Sequence, residues 1–401
     1  MKLSQPLTLP SGHTLKNRIV KSAMSERLAD DSGAPNLGHW RLYERWSRGG
    51  AALLITGNVM VDSGALGETG NVWLESAQDL PRFVDWATAA RHDDTLGIVQ
   101  LNHPGRQSPR TLTREPVAPS AVPVRMIKGA FAVPRALRSE EIEALIERFA
   151  RSAALCMEAG FDGVQLHAAH GYLISQFLSP LTNLREDEWG GTPEKRRRFL
   201  LELVRAVRVA IGDKAILSVK LNSADFQRGG FDEEESLAVV RALDAEGIDL
   251  LEISGGTYES ARMFDEPKSD RTQAREAFFL EYAEKVRQIS QLPLLVTGGF
   301  RSAAGMNAAL ESGALDLVGM ARPLASEPDL PARLLAGRAT EAVQPKLSTG
   351  QKALDALVQG AWYQAQITRI AKGREPKPTL SRLVAFALYF SPKRAVRSLD
   401  A

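Results

Sequence analysis

Eight short apolar runs, separated for the most part by stretches of helical periodicity, constrain this chain more than any other feature of its sequence. The runs are Arg18–Ala23, Ala51–Thr56, Gly97–Leu101, Gly163–Leu166, Ala215–Leu221, Leu250–Ile253, Leu294–Thr297 and Leu315–Gly319. Their length and apolar character are those of parallel strands buried on both faces. Helix candidates lie between them, over Leu37–Arg48, Leu80–Arg91, Pro193–Ile211, Glu233–Glu246, Glu276–Ile289 and Ala303–Ser312. Another begins at Ser139, read as its N-cap, carries Glu140 and Glu141 at the positive end of its dipole, and stops at Gly160. Alternation on this scale predicts a closed (β/α)8 barrel rather than an open sheet. A doubly wound sheet would carry a Gly-x-Gly-x-x-Gly turn after an early strand, and the sequence has none.

The remaining segments decorate that barrel. Residues 7–16 alternate around Pro10-Ser11-Gly12 and read as a β-hairpin. Residues 102–138, rich in Pro, Arg, Ser and Thr, form a long excursion of the kind that is usually functional or carries small elements of its own. The expected organisation is a catalytic barrel over 1–340 and a basic helical extension over 341–401. Its helices run over Lys352–Lys372, with Gly373 as the stop, and Leu380–Phe390. The apolar face of the last (Leu383, Val384, Phe386, Ala387, Leu388, Phe390) is expected to dock on the barrel or on a subunit partner, since the run is too short to span a bilayer.

A formal net charge of +2 over 401 residues gives no bulk attraction to nucleic acid. No apolar run reaches membrane-spanning or signal-peptide length, so a cytoplasmic protein is expected. Cys156 is the sole cysteine, which excludes an intrachain disulfide or a multi-cysteine cluster within one chain. It lies in a helical pattern and reads as a packed small residue.

In such a barrel the active site lies at the carboxyl ends of the strands. The fourth strand leads into His167, His170 and Tyr172, polar groups whose burial is costly without partners. Three readings compete. They are satisfied core or loop residues; or a metal pair, although zinc sites use a different spacing and no third ligand follows; or two N–H donors aimed at one oxygen, with Tyr172 as proton donor. The surrounding residues favour the third. Gly298-Gly299 after strand seven and Arg322 after strand eight suit a phosphate group. Lys220 lies within strand five, where alternation turns it into the barrel. Beside Gln100 at the mouth, it suggests an electron-accepting ring whose reduced form is anionic.

These residues sit in a pattern. NRIVKSAMS, QLNHPGR, APSA, FDGVQLHAAHGYLISQFLSPLTNLREDEWGG, VKLNSAD and DLVGMARPL together resemble the old yellow enzyme family of FMN-dependent ene-reductases, the NADH:flavin oxidoreductase group. The resemblance covers about residues 1–335, and WYQAQITRIAKG in the tail is similar to bacterial members. It implies a TIM barrel with bound FMN, NADPH or NADH as reductant, and a small-molecule activated alkene as substrate, an α,β-unsaturated carbonyl or nitro compound. It further implies that His167 and His170 bind the substrate oxygen and that Tyr172 donates the proton. Gln100 would meet the pyrimidine edge of the flavin, Lys220 would lie near N1, and Ser25 near N5. Ala23, Met24 and Gly57 would contact the ring or ribityl chain, and Gly298, Gly299, Ala321 and Arg322 the phosphate. Ala23 stands where relatives often have Pro. Arg27 stands where some have a substrate-binding Tyr, which makes Arg27 a candidate substrate contact. Two alternatives stay in view: a same-fold flavoenzyme with other chemistry, such as amine demethylation, and a non-catalytic flavin-binding protein.

Overall fold

Eight parallel strands close on themselves: β1 (Ile19–Lys21), β2 (Leu53–Met60), β3 (Leu96–Asn102), β4 (Gly163–Ala168), β5 (Ile216–Asn222), β6 (Leu250–Ser254), β7 (Leu294–Thr297) and β8 (Leu317–Met320). Each pairs with the next, and closure comes from Val318↔Ile19 and Gly319↔Val20 between β8 and β1. The computed structural model describes residues 1–126, 129–257, 259, 279–345, 347–350 and 352–389.

Alternation decides which side chains enter the barrel. Val20, Leu53, Ile98, Ile216, Leu250 and Leu295 cluster inside with Leu9 and Leu15. Those two leucines belong to the hairpin Leu7–Thr8/Thr14–Leu15. The hairpin therefore plugs the amino end of the barrel, and the opposite end is left for chemistry. The intervening strand residues, such as Val219 and Leu221, pack outward into the larger core shared with the helices.

The helices are α1 (Leu37–Ser47), α2 (Leu80–Ala90), α3 (Ser139–Glu158), α4 (Leu173–Leu178), α5 (Pro193–Ile211), α6 (Glu233–Ala245), α7 (Leu280–Arg287), α8 (Ala303–Glu311), α9 (Arg322–Ser326), α10 (Leu330–Leu335), α11 (Lys352–Ala371) and α12 (Arg382–Tyr389). The expected start of α7 at Glu276, and Phe390, lie outside the described residues. Several boundaries differ from expectation. Ser139 is the first residue of α3 rather than its cap. Arg138 precedes it in extended backbone, and its N–H donates to Glu141 Oε2 at 2.8 Å, so a carboxylate one turn in satisfies the helix entry. β2 does not end at Gly57 but continues to Met60, past a register shift between Ile55 and Asn58. β4 runs to Ala168, which puts His167 inside the strand.

In the tail, Trp362, Ile367 and Ile370 of α11 join the apolar core that contains Leu42 and Trp46 of α1. α12 behaves otherwise. Ala385 is its buried residue, while Leu383 is 76% exposed and Val384 and Leu388 are each 50% exposed. The face expected to dock is thus largely open. Among the described residues no helix is long and apolar enough to cross a membrane.

Candidate active site

Above the apolar plug the barrel interior turns polar, and its polar groups satisfy one another. Gln100 Nε2 donates to Gln165 Oε1 at 2.8 Å, directly across the β3/β4 register. Gln165 Nε2 donates to Glu252 Oε2 at 2.9 Å. Glu252 Oε1 accepts from Lys220 Nζ at 2.9 Å and from Thr297 Oγ1 at 2.7 Å. A buried carboxylate and ammonium are tolerated because each has this geometry. Gln165 and Glu252 were not singled out from the sequence. The signal was there: a polar side chain two residues before His167, and a lone acid in the apolar run LLEIS.

One layer higher are the histidines. His167 Nδ1 accepts from the Ala169 N–H at 3.4 Å, which leaves the ring proton on Nε2. The His167 ring lies 5.0 Å from that of His170 and 4.9 Å from that of Tyr172, both edge-on. His170 adopts φ 61°, a left-handed conformation that costs a non-glycine residue on the order of 1–2 kcal/mol. Three contacts hold it there. Its N–H donates to Asn222 Oδ1 at 3.1 Å, its carbonyl accepts from Gln107 Nε2 at 3.0 Å, and its Nε2 lies 2.7 Å from Ser254 Oγ. Strain fixed from three sides is characteristic of functional positions. Burial holds both imidazoles well below their ordinary pKa, aided for His167 by His170 and for both by Lys220. Both are therefore neutral donors. Among the described residues no group of three His, Cys, Asp or Glu is arranged to hold a metal ion.

The loop after β1 forms one wall. Ser25 hydrogen-bonds the Glu68 carboxylate, which burial raises above its usual pKa against the pull of Arg27. Arg27 Nε lies 3.4 Å from Glu68 Oε2, and its guanidinium lies 4.2 Å from the centre of the Tyr389 ring. An aromatic side chain thus reaches the Arg27 position from the tail. Beneath this loop, Glu26 Oε1 accepts from the Gly57 N–H at 2.9 Å and from the Tyr43 hydroxyl. Lys21 Nζ lies 4.0 Å from the same oxygen and 4.4 Å from the Trp46 ring, and burial lowers it to about 8. Gly57 faces this network and does not line the cavity. A Cβ there would meet Glu26 Oε2 at 2.1 Å and Met24 O at 2.3 Å. The glycine is needed for close approach of the loop.

At the far end, Arg322 Nη1 donates to Gln359 Oε1 at 3.0 Å. Burial lowers its pKa, and so does Arg301, which hydrogen-bonds the Tyr363 hydroxyl. Two guanidiniums beside one another are a donor set for a phosphate. Arg301 was missed by the sequence reading because it follows the Gly-Gly turn at a distance that reads as surface loop. Gly298, with φ 124°, lines the cavity; Gly299, expected beside it, does not.

The cavity measures about 400 Å³. It brings together Ala23, Met24, Ser25, Arg27, Gln100, His167, His170, Tyr172, Lys220, Gly298, Ala321 and Arg322. Tail residues that the sequence reading did not place there, among them Gln359, Tyr363, Gln364 and Tyr389, complete its roof. An amide and an ammonium at the floor, two imidazoles above and paired guanidiniums at one end fit a planar ligand that carries a phosphate.

Comparison with known proteins agrees with that geometry. Residues 2–341 match the model of the NADH:flavin oxidoreductase / NADH oxidase family. The NADH-dependent flavin oxidoreductase iliE of Neonectria sp. (strain DH2) is 36% identical over 390 residues, covering 90% of this chain and 51% of that protein. The chain thus spans about half the length of that relative. The iliE protein of Hypocrea jecorina (strain QM6a) is 38% identical over 353 residues, covering 82% of this chain and 87% of its own. An old yellow enzyme homologue from Zymomonas mobilis superimposes with a TM-score of 0.73 at 27% identity, over 85% of this chain and 94% of that one.

Proposed function

The chain belongs to the NADH:flavin oxidoreductase / NADH oxidase family, and from that premise we propose that it is an ene-reductase, with residues 1–340 as catalytic barrel and 341–401 as helical extension. Its substrates are α,β-unsaturated carbonyl or nitro compounds, and its reductant is NADH or NADPH. Gln100 and Lys220 take the polar edge of FMN, Ala23, Met24 and Ser25 its ring, and Gly298, Ala321 and Arg322, joined by Arg301, its phosphate. When bound, that cofactor supplies to the alkene the hydride taken from NAD(P)H.

The protein's own part is to bind, polarise and protonate. His167 Nε2–H and the His170 ring converge on the substrate oxygen. Because burial keeps both rings neutral, they donate hydrogen bonds without giving up a proton, and they stabilise the charge that develops on that oxygen. Tyr172, held against His167, donates its phenolic proton to the α carbon. The β carbon gains a hydride, the α carbon a proton, and the C=C π bond is lost. Arg27 and Tyr389 bound the substrate side of the cavity.

The observation that carries this reading is the edge-on His167–His170–Tyr172 cluster over the cavity floor. The test is NADH-dependent reduction of 2-cyclohexenone or N-ethylmaleimide by the flavin-loaded protein without oxygen. His167→Ala is expected to lower turnover about a hundredfold while flavin stays bound. Normal turnover in both the His167→Ala and His170→Ala proteins would remove the assignment.

A further inference from the structure

Helix α11 (Lys352–Ala371) begins beyond residue 341, where the match to the family ends, yet one of its faces walls the candidate active site. Gln359, Gly360, Tyr363, Gln364 and Ile367 all line the cavity, at the spacing that puts them on one side of a helix. The helix is fixed there. Trp362 is buried in the core that contains Leu42 and Trp46 of α1, and Gln364 Nε2 donates to the Glu26 carbonyl in the loop after β1. Gly360 is out of place on such a face. In a helix interior glycine is the poorest residue after proline. Its φ is not positive, so backbone geometry does not call for it. Packing does not call for it either: a Cβ built there meets no described atom within 4 Å and would stand in open space at the cavity wall. What remains is room for something that approaches the helix from the cavity.

The residues beside the glycine say what approaches. Gln359 Oε1 accepts from Arg322 Nη1 at 3.0 Å, which turns the amide N–H groups the other way. The Tyr363 hydroxyl accepts from Arg301, so its own proton is there to donate. Burial holds that phenol above its usual pKa despite the two guanidiniums, so the proton stays on. The acceptors of this face are turned to arginine and its donors are left for a ligand, a polarity that suits an anion with oxygen acceptors only. We infer that α11 is a cofactor-binding element: Gln359 and Tyr363 join Arg322 and Arg301 on the FMN phosphate, and the missing Cβ of Gly360 is the room the cofactor needs beside it. Gly360 lies between two residues tied to the arginines, at the opposite end of the face from Gln364 and the Glu26 loop, which places it with the phosphate rather than with the substrate. The inference rests on FMN as the cofactor and is independent of the alkene chemistry.

The test is flavin binding by the full chain after its flavin has been removed, read from the quenching of flavin fluorescence on titration, with riboflavin as the probe that lacks the phosphate. Gly360→Ala should raise the melting temperature of the flavin-free protein by roughly 1–2 °C, because alanine is the better helix former. The same variant should weaken FMN binding about threefold. Gly360→Leu, a longer side chain of good helix propensity, should weaken it by about tenfold or more. A glycine with a structural role alone would not move stability and binding in opposite directions. Tyr363→Phe should weaken FMN about tenfold and leave riboflavin unchanged, since only the phosphate loses a donor. An FMN Kd for Gly360→Leu equal to that of the parent would overturn the proposal. So would a Tyr363→Phe protein whose preference for FMN over riboflavin matches the parent's. Failure of the parent chain itself to bind FMN would strike the cofactor assignment, and this inference with it.

Discussion

Lys220 Nζ and Glu252 Oε1 lie 2.9 Å apart, in direct register across β5 and β6, and both side chains are buried beneath the candidate active site. The carboxylate also accepts from Gln165 and Thr297, so it anchors the lysine to the barrel wall. Its charge offsets the cation that would otherwise face the cavity alone. Glu252→Gln keeps the shape and removes the charge. An unpaired buried ammonium is costly, and loss of one partner of such a pair costs about 3–5 kcal/mol. The variant should melt earlier. Its retained cation favours a more anionic ligand, so the midpoint potential of bound flavin should rise by ~30 mV or more, the two-electron equivalent of about 1.4 kcal/mol. Redox titration beside a melting curve reads both effects; an unchanged potential would show that the pair does not act on the cofactor.

Ser254 makes a different kind of prediction. His170 Nε2 and Ser254 Oγ lie 2.7 Å apart, so this one contact governs both the tautomer and the orientation of the ring. Ser254→Ala releases both the tautomer and the ring orientation. Alkene reduction should fall by about tenfold, within the range lost when a donor is misplaced. His170 keeps its backbone ties to Asn222 and Gln107, so the melting temperature should hardly move. A rate drop with unchanged melting separates orientation from folding.

The sequence discloses most of this barrel because burial and period coincide in its strands. Each run that is apolar on both sides of the pleat marks a buried strand, and Lys220, the one charge within such a run in strand five, lines the cavity. His167, His170 and Tyr172 are legible for the same reason, as polar groups where a strand ends. At Gly57 a structural demand is not legible in the sequence: its missing Cβ makes room for Glu26. The roof is not legible. Gln364 and Tyr389 reach the site only through the packing of α11 and α12, and nothing local to Gln364 announces a destination 338 positions away at Glu26.

Gly57→Ala should therefore act on stability and loop order before it acts on chemistry. The new methyl would stand 2.1 Å from Glu26 Oε2 and 2.3 Å from Met24 O, the second of which is backbone. Relief requires that Met24–Glu26 move away from β2, which breaks the Gly57 N–H to Glu26 bond and loosens Tyr43 and Lys21 from the same carboxylate. Overpacking of this kind costs roughly 1–3 kcal/mol, and here a buried polar network is lost with it. A melting temperature within experimental error of the parent would show that the loop yields freely.

Three buried histidines, His39, His103 and His167, and the half-buried His170 make stability depend on acid. Burial lowers His39 to about 3 and His103 to about 4, and holds His167 and His170 well below 6.5. Below about 6.5 the unfolded chain takes up protons at these positions while the folded chain does not. The unfolded state then binds more protons, so stability rises with pH across that window and is lost as pH falls through it. Each histidine contributes a slope of up to about 1.4 kcal/mol per pH unit. Asp162, Asp225 and Glu235 act in the opposite sense, because burial raises their folded-state values and acid relieves them. A variant isolates the histidine contribution from theirs. His103→Asn, outside the cavity, should flatten the fall in unfolding free energy between pH 6.5 and 5 by about one proton's slope, measured by urea titration. His167 and His170 leave a separate mark. Since neither gains a proton near 6.5, kcat/KM for alkene reduction should show no acid limb between pH 8 and 6. An acid limb at 6.5 that disappears in His167→Ala would mean that the imidazole is solvated and titrates.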